Sequence, residues 1–326
     1  MARRRVLRTA AGSAATLLWP VGNAWSATWP EKPVRLINGF AAGGASDILT
    51  RLLAERLQQR LGQPFSVENR TGAGGNLSME AVASAPADGY TVCSATVGTL
   101  TINQFLFAKL AFDPAKDFAY VSTFWENTNV FVVPAAHPAR TLAEWLTWAK
   151  GKADGVTYSS SGVGTTPHLC GALFALQAKL DATHVPFRGG PQSATELAAG
   201  RIDFAIDNIG NQSPGLKAQR VRALAVTSSE RWPSLPDVPT MAEAGVPGFV
   251  VTSWGALVMP AGTPTAVVNT LSEAVREVSR EPAMRDKFAT AGAHLISSTP
   301  QEAADFAARE RLKWREAVRL SGAKSE

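Results

Sequence analysis

Gly39-Phe40-Ala41-Ala42-Gly43-Gly44-Ala45-Ser46-Asp47 and Ser160-Ser161-Gly162-Val163-Gly164-Thr165-Thr166-Pro167-His168 decide how this chain is read. Each stretch follows an apolar, strand-like run and opens a helix-like one. A glycine-rich turn entering a helix bares backbone N–H groups at the positive end of the helix dipole, which favours an anion. The two turns sit in separate strand–helix–strand regions, and the pair predicts two halves closing on one small acid.

Working outward from the first turn, strands are expected at 34–38, 64–68 and 90–95, with helices at 47–61 and 76–84. This is a βαβαβ unit with parallel strands. Ile48, Leu49, Leu52, Leu53 and Leu57 recur at helical spacing and form a core face, while Arg51, Glu55, Gln58 and Gln59 take the wet side. The turns Thr71-Gly72-Ala73-Gly74-Gly75-Asn76 and Thr96-Val97-Gly98-Thr99 lie at the carboxyl ends of the next strands, the edge on which α/β sheets bind ligands. The former is read as turning the chain; Thr96 and Thr99 offer hydroxyls.

Around the second turn the alternation restarts. Strands are expected at 130–133, 156–159, 183–186, 204–207 and 223–227, with helices at 141–150 and 168–179 and a short one closing at 196–199. Prolines at 233, 236, 239, 247, 260 and 264 then surround the apolar run 255–259, which reads as a return to the first half with one strand inside. From 265 the pattern is helical, and an amphipathic helix over 302–320 is expected to pack on the first half. The domains are therefore 27–130 plus 250–326, and 131–249.

At 326 residues the chain exceeds what one hydrophobic core usually fills, and 45% hydrophobic residues suffice for two. The pI of 9.4 invites a nucleic-acid partner. Yet Arg3, Arg4, Arg5 and Arg8 belong to the 32 basic residues and precede every acidic one; without residues 1–26 the balance is 28 basic to 27 acidic. A nearly neutral protein gives no basis for nucleic-acid binding. The arginine cluster, the apolar stretch 10–19 and the small residues at 22–26 have the parts of an export signal, cut near residues 24–27, with Arg3-Arg4-Arg5-Val6-Leu7-Arg8 also fitting a twin-arginine route. A periplasmic location follows. No later stretch approaches the roughly 20 apolar residues of a membrane span.

Cys93 and Cys170 fall one in each half, and a bridge would tie together parts expected to move, so two free buried thiols are expected. With His137, His168, His184 and His294 they give no zinc-type spacing, so neither metal nor cofactor is expected. Gly39-x-Ala41-x-x-Gly44, with Glu68 further on, is one substitution from a dinucleotide fingerprint, but the central glycine is missing and no general acid is evident. Ser160, Ser161, Ser213 and Ser253 stand outside any G-x-S-x-G frame, which argues against an esterase. Asp207 ends an apolar strand and either meets a ligand amine or hydroxyl or caps the next segment. Arg188 is read as a surface or structural ion pair before a substrate contact.

With these residues assembled, the chain resembles the Bug family of extracytoplasmic solute receptors, also called TctC-like or tripartite tricarboxylate transporter receptors. The resemblance rests on Trp29-Pro30-x-Lys32-Pro33-Val34, Gly43-Gly44-x-x-Asp47, Val67-Glu68-Asn69-Arg70-x-Gly72-Ala73-Gly74-Gly75 and Asp88-Gly89-Tyr90. It continues through Ser160-Ser161-Gly162-x-Gly164-Thr165 with His168-Leu169, Pro186-Phe187-Arg188-Gly189-Gly190, Asp207-Asn208 and Pro236-Asp237-Val238-Pro239-Thr240. It implies a two-domain periplasmic-binding-protein fold with two crossover strands and a cleft between the domains. The implied function is non-enzymatic capture of a carboxylated solute, by a monomer, for a tripartite transporter's membrane components; a receptor serving a sensor without its own permease is the alternative. The residues it implicates are Ala42, Gly43, Gly44, Asp47, Ser160, Ser161, Gly162, Thr165 and Asp207. One departure stands out: Ala41-Ala42 replaces the prolines common before the glycine pair.

Overall fold

The computed structural model describes residues 29–323, so the expected export segment lies outside the described residues. β1 (Val34–Asn38) is buried at four of five positions, as a strand covered on both faces must be. The first glycine turn leads into α1 (Ala45–Leu61), which buries Leu49, Leu53 and Leu57 and stops at Gly62 in the left-handed conformation. β2 (Phe65–Asn69), α2 (Asn76–Ala83) and β3 (Thr91–Thr96) follow. β1 pairs parallel with both β2 and β3, which the helical crossovers permit.

A helical passage ending in α3 (Asn103–Leu106) delivers the chain to β4 (Phe118–Pro134). Only 130–133 was legible as strand, whereas β4 is 17 residues long. Its middle is rich in polar residues, Ser122, Thr123, Asn127, Thr128 and Asn129, all buried, so neither an apolar run nor alternation marks it. The second half then runs α4 (Leu142–Lys150), β5 (Val156–Ser160), α5 (Thr166–Ala178), β6 (Ala182–Pro186), α6 (Gly190–Ala198), β7 (Phe204–Asn208), α7 (Ile209–Lys217) and β8 (Val221–Val226). The chain returns through β9 (Thr252–Pro260), α8 (Thr265–Arg280), α9 (Pro282–Thr290), β10 (His294–Leu295) and α10 (Pro300–Ser321).

The long strand explains the architecture. Through Thr128 β4 pairs antiparallel with β9, and from Asn129 it pairs with β7 and β8. One strand thus serves both lobes, in a sheet ordered β2-β1-β3-β9-β4-β7-β5-β6. Where β4 and β9 pair Trp125 with Gly255, the indole lies against the glycine: a Cβ there would stand 2.1 Å from Trp125 Nε1. The fold is a two-lobed α/β fold with a cleft between the lobes.

Each lobe has its own packing centre. The α1 leucines meet Phe124, Val275 and Phe288 in the first. In the second, Phe131 is ringed by Trp145, Phe174 and Phe204, with ring centroids 4.9, 5.1 and 5.1 Å away. α10 packs on β4 and also on α5, so it bridges the lobes instead of resting on the first half alone. Glu310 of α10 accepts from the indoles of both Trp254 and Trp314 at 3.1 Å. Cys93 and Cys170 are free and buried; burial pushes the Cys93 thiol up to about 12 and raises that of Cys170 as well.

Candidate functional site: a cavity between two helix starts

The first turn is held by Asp47. Its Oδ2 accepts from Gly43 N and from Arg51 Nε, both at 2.9 Å, and its Oδ1 accepts from Asn69 Nδ2 at 2.7 Å. Burial pushes this carboxyl up, but the hydrogen bonds from Arg51, Asn69 and the Gly43 amide outweigh it and hold it below the usual carboxylate range. Asp47 is therefore committed to shaping the turn. Gly43 has φ 77°, a conformation glycine tolerates best. The N-cap of α1, Gly44, has no capping side chain. Instead Ala45 N donates across the cleft to Asn211 Oδ1 at 2.9 Å, while the N–H groups of Ser46 and Asp47 have no acceptor within the helix.

The second turn is clasped by two histidines. Ser160 Oγ lies 2.7 Å from His184 Nε2 and accepts from Gly162 N at 3.1 Å; Gly164 N donates to His168 Nδ1 at 3.3 Å. The two imidazoles stack with centroids 4.1 Å apart. Burial lowers His168 to about 4; burial, then the neighbouring His168, lowers His184 to about 3, so both rings are neutral at pH 7. Thr165 Oγ1 donates to Gly162 O at 2.6 Å and so closes the turn on itself.

The two turns share a cavity of about 40 Å³ bordered by Phe40, Gly44, Ala45 and Ser46 from one lobe and by Ser161, Thr165, Thr166, Asn208 and Asn211 from the other. Thr96, Trp125 and Ser253 close it, and no charged side chain borders it. At roughly 10–15 Å³ per water, it admits a carboxylate head or a few waters. Phe40 and Ser161 also border a second, larger chamber of about 1540 Å³, whose walls include Gly162, His168, His184, Phe187 and Arg188. Arg188 has no ion pair among the described residues, contrary to its expected role, and is the one formally charged side chain in that wall.

Of the residues singled out from sequence, Gly44, Thr96, Ser161 and Thr165 border the inner cavity, and Gly162 the outer chamber. Ala42, Gly43, Asp47, Thr99, Ser160 and Asp207 border neither. Thr99 Oγ1 is occupied by Thr96, donating to its carbonyl and accepting from its amide at 3.1 Å. Asp207 is buried and accepts from Ser161, Asn208 N, Asn211 and Gln212 at 3.4, 2.7, 3.0 and 2.8 Å. Burial nevertheless raises its pKa.

Sequence reasoning missed Phe40, Trp125, Asn208, Asn211 and Ser253. Asn208 Nδ2 donates to Asn129 Oδ1 and Ser253 Oγ, both at 2.7 Å, and Ser253 Oγ also meets Thr166 Oγ1 in a short hydrogen bond, so β4, β7, β9 and α5 are tied together behind the cavity. The only signal for Asn208 and Asn211 was their nearness to Asp207. Trp125 and Ser253 lie on strands whose cavity end nothing in the pattern marks.

Comparison with known proteins places the chain. Residues 49–322 match the model of the "Tripartite tricarboxylate transporter family receptor". The chain is 32% identical over 298 residues to protein BugT of Bordetella pertussis, covering 91% of each. Among solved structures it resembles Rpa4515 of R. palustris with adipate (35% identity, 90% of this chain and 98% of that one, TM-score 0.88). It also resembles MatC (Rpa3494) of Rhodopseudomonas palustris with bound malate (33% identity, 89% and 100%, TM-score 0.84). The chain belongs to the tripartite tricarboxylate transporter receptor family, whose members are carboxylate-binding solute receptors. No helix of the described residues is long and apolar enough to cross a membrane.

Proposed function

We propose that the protein is exported to the periplasm, with residues 1–26 removed, and there captures a small carboxylate between lobes formed by 27–130 plus 250–326 and by 131–249. It acts as a monomeric receptor without catalytic activity and presents its closed form to the membrane components of a tripartite tricarboxylate-type transporter.

One observation carries this reading: the starts of α1 and α5, one from each lobe, border a single uncharged cavity of carboxylate-head size. Peptide dipoles and hydroxyls in a water-poor cavity stabilise an anion without a formal cation. Gly44, Ser161, Thr165 and Thr96 surround the head in this proposal, with Gly162 at the mouth. Ala42, Gly43, Asp47, Thr99, Ser160 and Asp207 act by holding the turns. A longer ligand leaves past Phe40 and Ser161 into the outer chamber, where Arg188 meets an anionic far end. Adipate and malate, found with the two neighbours, have two such ends and are the first acids to try.

The test is thermal unfolding against a panel of mono- and dicarboxylates. A ligand at a hundredfold excess over Kd adds about 2.7 kcal/mol of stability, a clear shift in Tm. A silent panel, together with turnover of an ester or a nicotinamide substrate, would overturn the proposal.

A further inference from the structure

We infer that the Trp125 indole N–H is a carboxylate donor of the inner cavity, a side-chain donor added to the backbone N–H groups of the two helix starts; this rests on the receptor reading above. Among the described residues, eight buried side-chain polar atoms have no hydrogen-bond partner, three of them the indole nitrogens of Trp29, Trp125 and Trp145. Of the eight, only that of Trp125 belongs to a residue bordering either chamber of the cleft. The fold does provide acceptors for indoles elsewhere, since Trp254 and Trp314 both reach Glu310. Trp125 is 2% exposed and is pressed on Gly255, so an acceptor has to come from an occupant of the cavity it borders. A buried donor left in this state costs free energy that a ligand oxygen regains.

The chemistry of this donor differs from that of its neighbours. The hydroxyls of Ser161 and Thr165 can donate or accept, and the Asn208 and Asn211 amides offer both functions; an indole N–H only donates. Like the backbone N–H groups of the two helix starts, it rewards an oxygen acceptor and offers an ammonium head nothing to donate to. Its position on β4, where that strand passes between the lobes, puts Trp125 in the wall of the cavity.

The experiment uses ¹⁵N-labelled mature protein with adipate and, separately, malate. The indole resonance of Trp125 is identified by its loss in Trp125→Phe, or, should that variant not fold, by its close approach to Gly255 in the wild type. On saturation this resonance is expected to move further than any other indole signal and to exchange more slowly with solvent, and Trp125→Phe binds the acid roughly tenfold more weakly. If the backbone amides at 44–46 and 165–168 respond while the Trp125 indole does not, the inner cavity holds the acid but Trp125 is no donor to it. If neither these acids nor any of the panel moves those amides, the carboxylate reading falls and this assignment with it.

Discussion

Asn211 of the second lobe caps the first helix of the first lobe: its Oδ1 accepts the Ala45 N–H at 2.9 Å, while its Nδ2 donates to the buried Asp207 at 3.0 Å. A helix that carries no cap of its own therefore has one only when the lobes are together. Loss of an N-cap costs about 0.5–2 kcal/mol. Asn211→Ala is expected to shift the protein toward an open form, visible as a larger radius of gyration in small-angle scattering. An unchanged radius would show that the cap does not contribute to closure.

Closure also depends on bare backbone. A Cβ added at Gly98 would lie 2.6 Å from the carbonyl oxygen of Gly164 in the opposite lobe. Because Gly98 has no positive φ, Gly98→Ala is expected to leave the unliganded Tm within a few degrees while weakening acid binding about tenfold or more, as a pried-open cleft would. Binding calorimetry beside a melting curve checks this; wild-type affinity in the variant would contradict it.

The two glycine turns were legible because glycine, hydroxyl residues and an adjoining helix pattern are local features, and the cavity does form between them. Asn211 and Trp125 were not legible. Asn211 matters through a contact with a residue 166 positions away, and Trp125 looked like any aromatic residue in a run whose buried polar neighbours concealed the strand. The same concealment shortened β4 on paper. Its polar residues are buried because they bond to other elements, Ser122 to the Ser298 carbonyl and Asn129 to Thr166, Asn208 and Ser253, an arrangement that single-strand periodicity does not encode. Asp47 and Asp207 were singled out as ligand contacts, yet each is saturated by partners that only the tertiary structure supplies.

The stacked histidines give a pH prediction. Both have folded pKa values, about 4 for His168 and about 3 for His184, below the ordinary 6.5. The unfolded chain therefore takes up protons first as the pH falls, and stability fully present above 6.5 is lost as pH drops toward those folded values. His137, also lowered by burial, acts in the same direction. Urea unfolding between about pH 7 and about pH 4.5 is expected to show falling stability, with a shallower slope in His184→Gln. An identical slope in the variant would mean that His184 is not held neutral by the fold.

Arg188 gives the outer chamber its formal charge. A partly exposed ion pair is worth up to about 1 kcal/mol, or roughly fivefold in affinity. Arg188→Gln is expected to weaken adipate by about that factor and to leave its half-methyl ester, which keeps one carboxylate, nearly unaffected. Equal losses for both acids would remove Arg188 from recognition of the far end.

Whether both helix starts hold the acid is decided by a crystal structure of the mature protein grown with adipate. One carboxylate is expected in the inner cavity, its oxygens within hydrogen-bonding distance of N–H groups at the starts of both α1 and α5. An acid bound to one lobe only, or a closed cleft with the acid confined to the outer chamber, would contradict it.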